Sequence, residues 1–160
     1  MKESRICMLD LEMSGLDPES ERIIEVACFV VEADLTPVPG AEICLAVMPE
    51  DPGVLDSMDE WNTRTHGESG LVKRIRENGA TIREAEDAVM ELLREHMAKG
   101  AIICGNSVHH DMRFIRREMP MVAEFCTFRI IDVSSIKELL RRVAPEGPRF
   151  YKRSDHTALA

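Results

Sequence analysis

Three acids and one histidine stand where their types and spacing could do hydrolytic chemistry. Asp10 and Glu12 lie two residues apart in the apolar run Ile6-Cys7-Met8-Leu9-Asp10-Leu11-Glu12-Met13. Residues two apart on a strand project from the same face, so a strand here would release both carboxylates together at its carboxyl end. Paired carboxylates are costly to ionise in one cleft unless a cation sits between them, and oxygen donors suit Mg²⁺ or Mn²⁺. The same spacing also describes an edge strand carrying two solvated acids. Asp111 follows the turn Gly105-Asn106-Ser107-Val108-His109-His110, a strand-to-helix junction of the kind where open α/β sheets place ligands. An acid early in a helix is equally explained by the macrodipole. His156, after a Gly/Pro loop, has an unperturbed pKa of ~6.5 and could deprotonate water near neutral pH. Alone, it would read as a surface histidine.

The elements that must position these residues can be read from periodicity. After the first strand, Ile23 to Val31 is a nearly continuous β-branched run, as in a buried strand. Pro37, Pro39 and Gly40 suggest a turn, with a third strand over Ile43 to Met48 and an antiparallel meander formed by the three. Thr81 and Glu84 fit a capping box, and Ile82, Ala85, Val89, Leu92, Leu93 and Met97 follow helical spacing. A short strand over Ala101 to Gly105, a helix near His110 to Met119 and a strand over Phe128 to Asp132 come next. The last helix carries Ile136, Leu139, Leu140 and Val143 on one face. This order predicts an α/β fold: a mixed β-sheet, antiparallel meander plus parallel strands, flanked by α-helices.

Composition narrows the function. The 160 residues suit one domain, with no internal repeat or interdomain linker. No apolar run approaches the ~18 residues that a membrane span requires, and no signal-peptide pattern precedes the first strand; a cytoplasmic, membrane-free setting is expected. Five cysteines, at 7, 28, 44, 104 and 126, include no C-x-x-C pair and read as buried thiols of a reducing compartment. A net charge of −9 disfavours nonspecific grip on long nucleic acid through many phosphates. A short anionic ligand held by a few donors and by metal is compatible with it.

Taken in order, the motifs carry a resemblance. They are Asp10-x-Glu12 with Met13-x-Gly15-Leu16-Asp17-Pro18, then Asp59-x-Trp61-Asn62-x-Arg64-Thr65-His66, then Cys104-Gly105-Asn106-Ser107-x-x-x-Asp111, then Arg129-Ile130-Ile131-Asp132-Val133-Ser134, and a late His156. Together they resemble the oligoribonucleases, within the DEDDh branch of the DnaQ-like 3′→5′ exonucleases. The resemblance implies an RNase H-like core, two divalent cations (Mg²⁺ or Mn²⁺) and hydrolysis of short RNA, of two to about five nucleotides, to mononucleotides. It implies Asp10, Glu12 and Asp111 as metal ligands and His156 as general base. Leu16 and Trp61 become apolar walls for the bases, although a lone tryptophan is also a natural core anchor. Ser107, Arg129, Ser134 and Ser135 would receive the 5′ phosphate, with Asn106 and His66 near the substrate. A homodimer is implied as well.

The chain departs from that pattern twice. The family places a tyrosine, contributed across the dimer, where this chain has Phe128, which keeps the ring and loses the hydroxyl. The family's last metal-binding aspartate follows the histidine by five residues, which would be position 161. Asp155 cannot replace it, because six residues along a helix is about 240° around the axis. Residues 1–160 are therefore expected to form a single exonuclease domain lacking its C-terminal helix, weakly active until extended. Two other readings stay open: an exonuclease of longer RNA or DNA 3′ ends, and a truncated, non-catalytic nucleotide-binding module.

Overall fold

The computed structural model describes residues 2–147. Its frame is one six-stranded sheet in the order β4-β3-β2-β1-β5-β6. Strands β1 (Ile6–Met13), β2 (Ile23–Val31) and β3 (Pro37–Met48) form the antiparallel meander. On the other side of β1, β5 (Ala101–Gly105) and β6 (Cys126–Asp132) run parallel to it, and the two-residue β4 (Ala80–Thr81) pairs with the end of β3. The parallel relation brings the carboxyl ends of β1, β5 and β6 to one edge, the place where open sheets hold ligands.

Alternation along β1 decides what faces that edge. Cys7, Leu9 and Leu11 are buried in the main core, whereas Met8, Asp10 and Glu12 are only partly covered. Helix α4 (Ile82–His96) supplies Ala85, Val89, Leu92 and Leu93 to the same core. It starts as the sequence predicts: Thr81 Oγ1 accepts the Glu84 amide while the Glu84 carboxylate accepts the Thr81 amide, satisfying two donors that a helix end leaves bare. Helix α5 (His109–Glu118) adds Met112, Phe114 and Ile115. A second, smaller cluster joins Ile24 to Leu55, Met58, Leu71 and Ile75. These come from the 54–78 segment, whose helices α1 (Val54–Ser57), α2 (Glu60–Glu68) and α3 (Leu71–Asn78) are too short to announce themselves by periodicity.

Several expectations are corrected. The reversal before β3 is not at Pro37–Gly40 but earlier, where Leu35 adopts φ +69 and its amide bonds the Glu32 carbonyl at 2.9 Å. The two prolines lie in the strand itself. They are tolerated because β4 pairs only with Val47 and Met48, so this part of β3 is an edge that needs no donor. Pairing there jumps from Phe29–Glu42 to Val31–Pro37, and Gly40, at φ +73, sits inside the jump. The last strand begins at Cys126 and follows a short helix, α6 (Pro120–Phe125), opened by a proline at its first position. All five cysteines are free thiols, but Cys44 is exposed.

Close approach at the site edge demands a glycine. A Cβ on Gly105 would lie 2.4 Å from the Leu9 carbonyl oxygen and 3.0 Å from Val108 Cγ2. Backbone cannot yield as a flexible side chain can, so any larger residue must push β5 from β1. Gly105→Ala is expected to lower unfolding free energy by about 1–3 kcal/mol, the usual range for overpacking. Urea unfolding followed by circular dichroism checks this; a midpoint equal to wild type would contradict it.

Candidate active site

One hydrogen bond assembles the acids. The Leu11 backbone amide, between Asp10 and Glu12, donates to Asp111 Oδ1 at 2.9 Å, across 100 residues of sequence. Asp111 is 5% exposed and sits in the first turn of α5. Burial pushes its carboxyl above the usual range, against the pull of the Leu11 amide and of His110. Asp10 and Glu12 are half-buried on the same face of β1, opposite Ala27 and Glu25 of β2. The structure thus brings three of the four predicted chemical residues to one strand end. His156 lies outside the described residues.

The base-facing candidates flank the end of β1. Ser14 closes the following loop: its hydroxyl donates to Glu21 at 2.5 Å and accepts the Arg22 amide at 3.0 Å. Leu16, on that loop, is 76% exposed. Trp61 belongs to α2, whose first turn is capped by Asp59 accepting the Asn62 amide at 2.8 Å. At 54% exposure, Trp61 is not a core anchor. His66 is buried, and its Nε2 donates to the Met13 carbonyl at 3.2 Å, which ties α2 to β1 at the point where the acids emerge.

At the ends of β5 and β6, Asp132 organises the residues expected to meet phosphate. Its Oδ1 accepts the Ser107 amide (3.0 Å), the Ser134 amide (2.9 Å) and the Ser134 hydroxyl (2.5 Å), and its Oδ2 lies 2.6 Å from His109 Nδ1. Ser107 takes φ +58 to present its amide. Burial alone would raise the Asp132 pKa; the bonds from Ser134, His109 and Ser107 outweigh it and hold the carboxyl well below the usual range. Ser134 spends its hydroxyl proton on Asp132, so in this arrangement its oxygen can accept but not donate. Ser135 is exposed and lines a cleft of ≈ 570 Å³ with His109, Ile130, Ile131, Asp132 and Ile136. Asn106 Oδ1 accepts Lys137 Nζ at 3.1 Å, and the Arg129 guanidinium lies 5.1 Å from the Phe128 ring centre. Neither Asp132 nor His109 is among the residues that the sequence marks for chemistry. The signal for Asp132 was there: an Asp-x-Ser at a strand end before an amphipathic run is a helix N-cap signature, and Asp132 caps α7 (Val133–Val143).

The acids fit a hard divalent cation by donor type, since Asp10, Glu12 and Asp111 offer only carboxylate oxygens. Among the described residues no three histidine, cysteine, aspartate or glutamate side chains already form a cluster that could hold a metal ion. Among the described residues, no helix is long and apolar enough to cross a membrane.

Comparison with known proteins gives the architecture its class. A family model described as exonuclease matches residues 7–160. Escherichia coli exonuclease I in complex with a dA16 oligonucleotide superposes with a TM-score of 0.72 at 16% identity, over 96% of this chain and 33% of that one. A zinc-bound form of the same enzyme with single-stranded DNA gives a TM-score of 0.71. The fold is that of the RNase H-like exonucleases. The oligoribonuclease of Bordetella pertussis is 45% identical over 160 residues, covering 99% of this chain and 87% of the relative. That of Neisseria meningitidis serogroup A is 41% identical over 159 residues, covering 98% and 84%. The chain belongs to the oligoribonuclease family, a group of 3′→5′ exoribonucleases.

The depressed Asp132 carboxyl has a stability consequence. Its folded pKa lies below that of an unfolded aspartate, about 3.9, so its bonds contribute fully above that value and drain away as pH falls through the folded one. Asp132→Asn should be less stable at pH 7 and should lose less stability than wild type between about pH 5 and pH 3. Urea unfolding at stepped pH tests this; parallel acid slopes for the two proteins would refute it.

Proposed function

We propose that the chain removes nucleotides from the 3′ end of short RNA, ending with dinucleotides, by hydrolysis at a site built on Asp10, Glu12 and Asp111. The observation that carries this reading is the 2.9 Å bond from the Leu11 amide to Asp111, which pins the third acid beside the other two. These three carboxylates would hold two divalent cations, Mg²⁺ or Mn²⁺. Cations bound there supply positive charge to the scissile phosphate and make water a better nucleophile.

The chain's own residues supply the rest. His156, in this reading, takes the proton of the attacking water. The water oxygen bonds phosphorus, the bond from phosphorus to the preceding 3′ oxygen breaks, and that oxygen leaves and takes up a proton. The product is a nucleoside 5′-monophosphate. Leu16 and Trp61, both exposed apolar groups, receive the bases, where stacking is worth about 1–3 kcal/mol per base. Arg129, Ser135 and the Ser107 turn, with Asn106 nearby, limit the length of substrate by binding its 5′ phosphate, while buried His66 acts through the Met13 carbonyl that it holds. Ser134 contributes through Asp132. The free thiols and the net charge of −9 suit a reducing cytoplasm and short substrates. In the same reading residues 1–160 act as one exonuclease domain.

A homodimer belongs to the same proposal. Phe128 is 81% exposed, and Ile136, Leu139, Leu140 and Val143 form an apolar stripe on α7 that is exposed among the described residues, next to β6 at the end of the sheet. A stripe of that kind on a helix at a sheet edge is what an isologous contact buries.

Two outcomes are expected. Glu12→Gln and Asp10→Asn should each lower cleavage of a 5′-phosphorylated diribonucleotide at least about a hundredfold relative to the unmutated chain, with circular dichroism unchanged. Substantial cleavage by either variant would remove the acids from the chemistry. Leu139→Glu should convert a dimer to a monomer in sedimentation equilibrium, and a monomeric wild type would end the dimer reading.

A further inference from the structure

A third carboxylate shares the face of Asp10 and Glu12. The β1–β2 register places Glu25 directly opposite Glu12, and opposed residues on antiparallel strands have Cβ atoms about 4.5–5.5 Å apart, where like charges are unfavourable. Glu25 is completely buried. Its Oε1 accepts Arg74 Nη2 at 2.6 Å and lies 3.7 Å from the Cys44 thiol. The register slips at this point, since Met13 pairs with Ile23 and leaves Ile24 as the extra residue. That slip sends Ile24 into the cluster with Leu71 and Ile75 of α3, the helix that delivers Arg74.

A merely structural explanation would make the ion pair a clamp for α3. Leu71 and Ile75 already dock that helix through apolar contacts, and an ion pair whose arginine side chain is 44% exposed adds little to that docking. What Arg74 does beyond docking is cancel the charge that Glu25 would otherwise set opposite Glu12.

We propose that Glu25 and Arg74 are positioning residues for the metal site, a neutral pair that keeps both an extra negative and an extra positive charge away from Asp10 and Glu12. With Glu25 neutralised, Asp10, Glu12 and Asp111 would hold a cation without a competing carboxylate charge on β2. With Arg74 neutralised, no uncompensated guanidinium repels it. This inference rests on the reading of Asp10, Glu12 and Asp111 as cation ligands.

The test is Mn²⁺ binding by the full chain, followed by isothermal calorimetry alongside thermal unfolding. Glu25→Gln, which strands the guanidinium, should weaken Mn²⁺ binding about tenfold. The double variant Glu25→Gln/Arg74→Met, again neutral, should return to within about threefold of wild type. Arg74→Lys, which keeps the charge, should bind as wild type. If Glu25→Gln loses stability but binds Mn²⁺ normally, or if the double variant binds as weakly as Glu25→Gln, the pair is structural only and the inference fails. A wild-type chain that binds no Mn²⁺ overturns the ligand assignment itself, and this inference with it.

Discussion

The amide of Leu11 has two possible partners in a fold like this: a neighbouring strand or a side chain. Near the carboxyl end of β1 the parallel neighbour β5 is registered only with Ile6 to Met8, so the amide further along is left for Asp111. A buried amide without a partner would cost about 1–3 kcal/mol; the carboxylate meets that need and is itself fixed. The arrangement depends on β1 and β5 separating just where α5 begins, and Gly105 is what allows them to approach so closely before they part. Strand pairing, helix placement and the gathering of acids are thus one constraint seen from three sides.

Around this bond the molecule uses short polar contacts to display apolar groups. The Ser14–Glu21 contact closes the loop that carries Leu16, and His66 anchors the helix that carries Trp61. Asp132 does the same for the β5 and β6 ends, drawing Ser107, Ser134 and His109 to one carboxylate. Exposed apolar residues near a polar cleft would be a liability in a purely structural domain. Here Leu16 stands on a loop and Trp61 on a helix, each tied back by part-buried hydrogen bonds.

Much of the fold was legible in the chain. The alternation of β1, the continuous burial of β2 and the capped periodicity of α4 each follow from local rules of spacing and satisfied backbone donors, and each lies where those rules put it. The prolines of β3 misled because a proline signals a turn only when the position needs a donor, and an edge strand does not. The helical stripe of α7 was correctly periodic, yet no residue of that helix is buried. Periodicity reports an apolar face and is silent about what covers it.

The family, the kinds of acid at the strand end and the alternation that puts Asp10 and Glu12 on one face depend on residue type and on a period of two, and so were readable along the chain. Pairing and packing in space settled that Asp111 meets the Leu11 amide, that Trp61 is outside the core, that Ser134 spends its proton on Asp132 and that Glu25 stands opposite Glu12 and pairs with Arg74. Those relations join residues from 2 to 100 positions apart through register and burial. A register is a property of two strands paired in space, and no local pattern along one of them contains it.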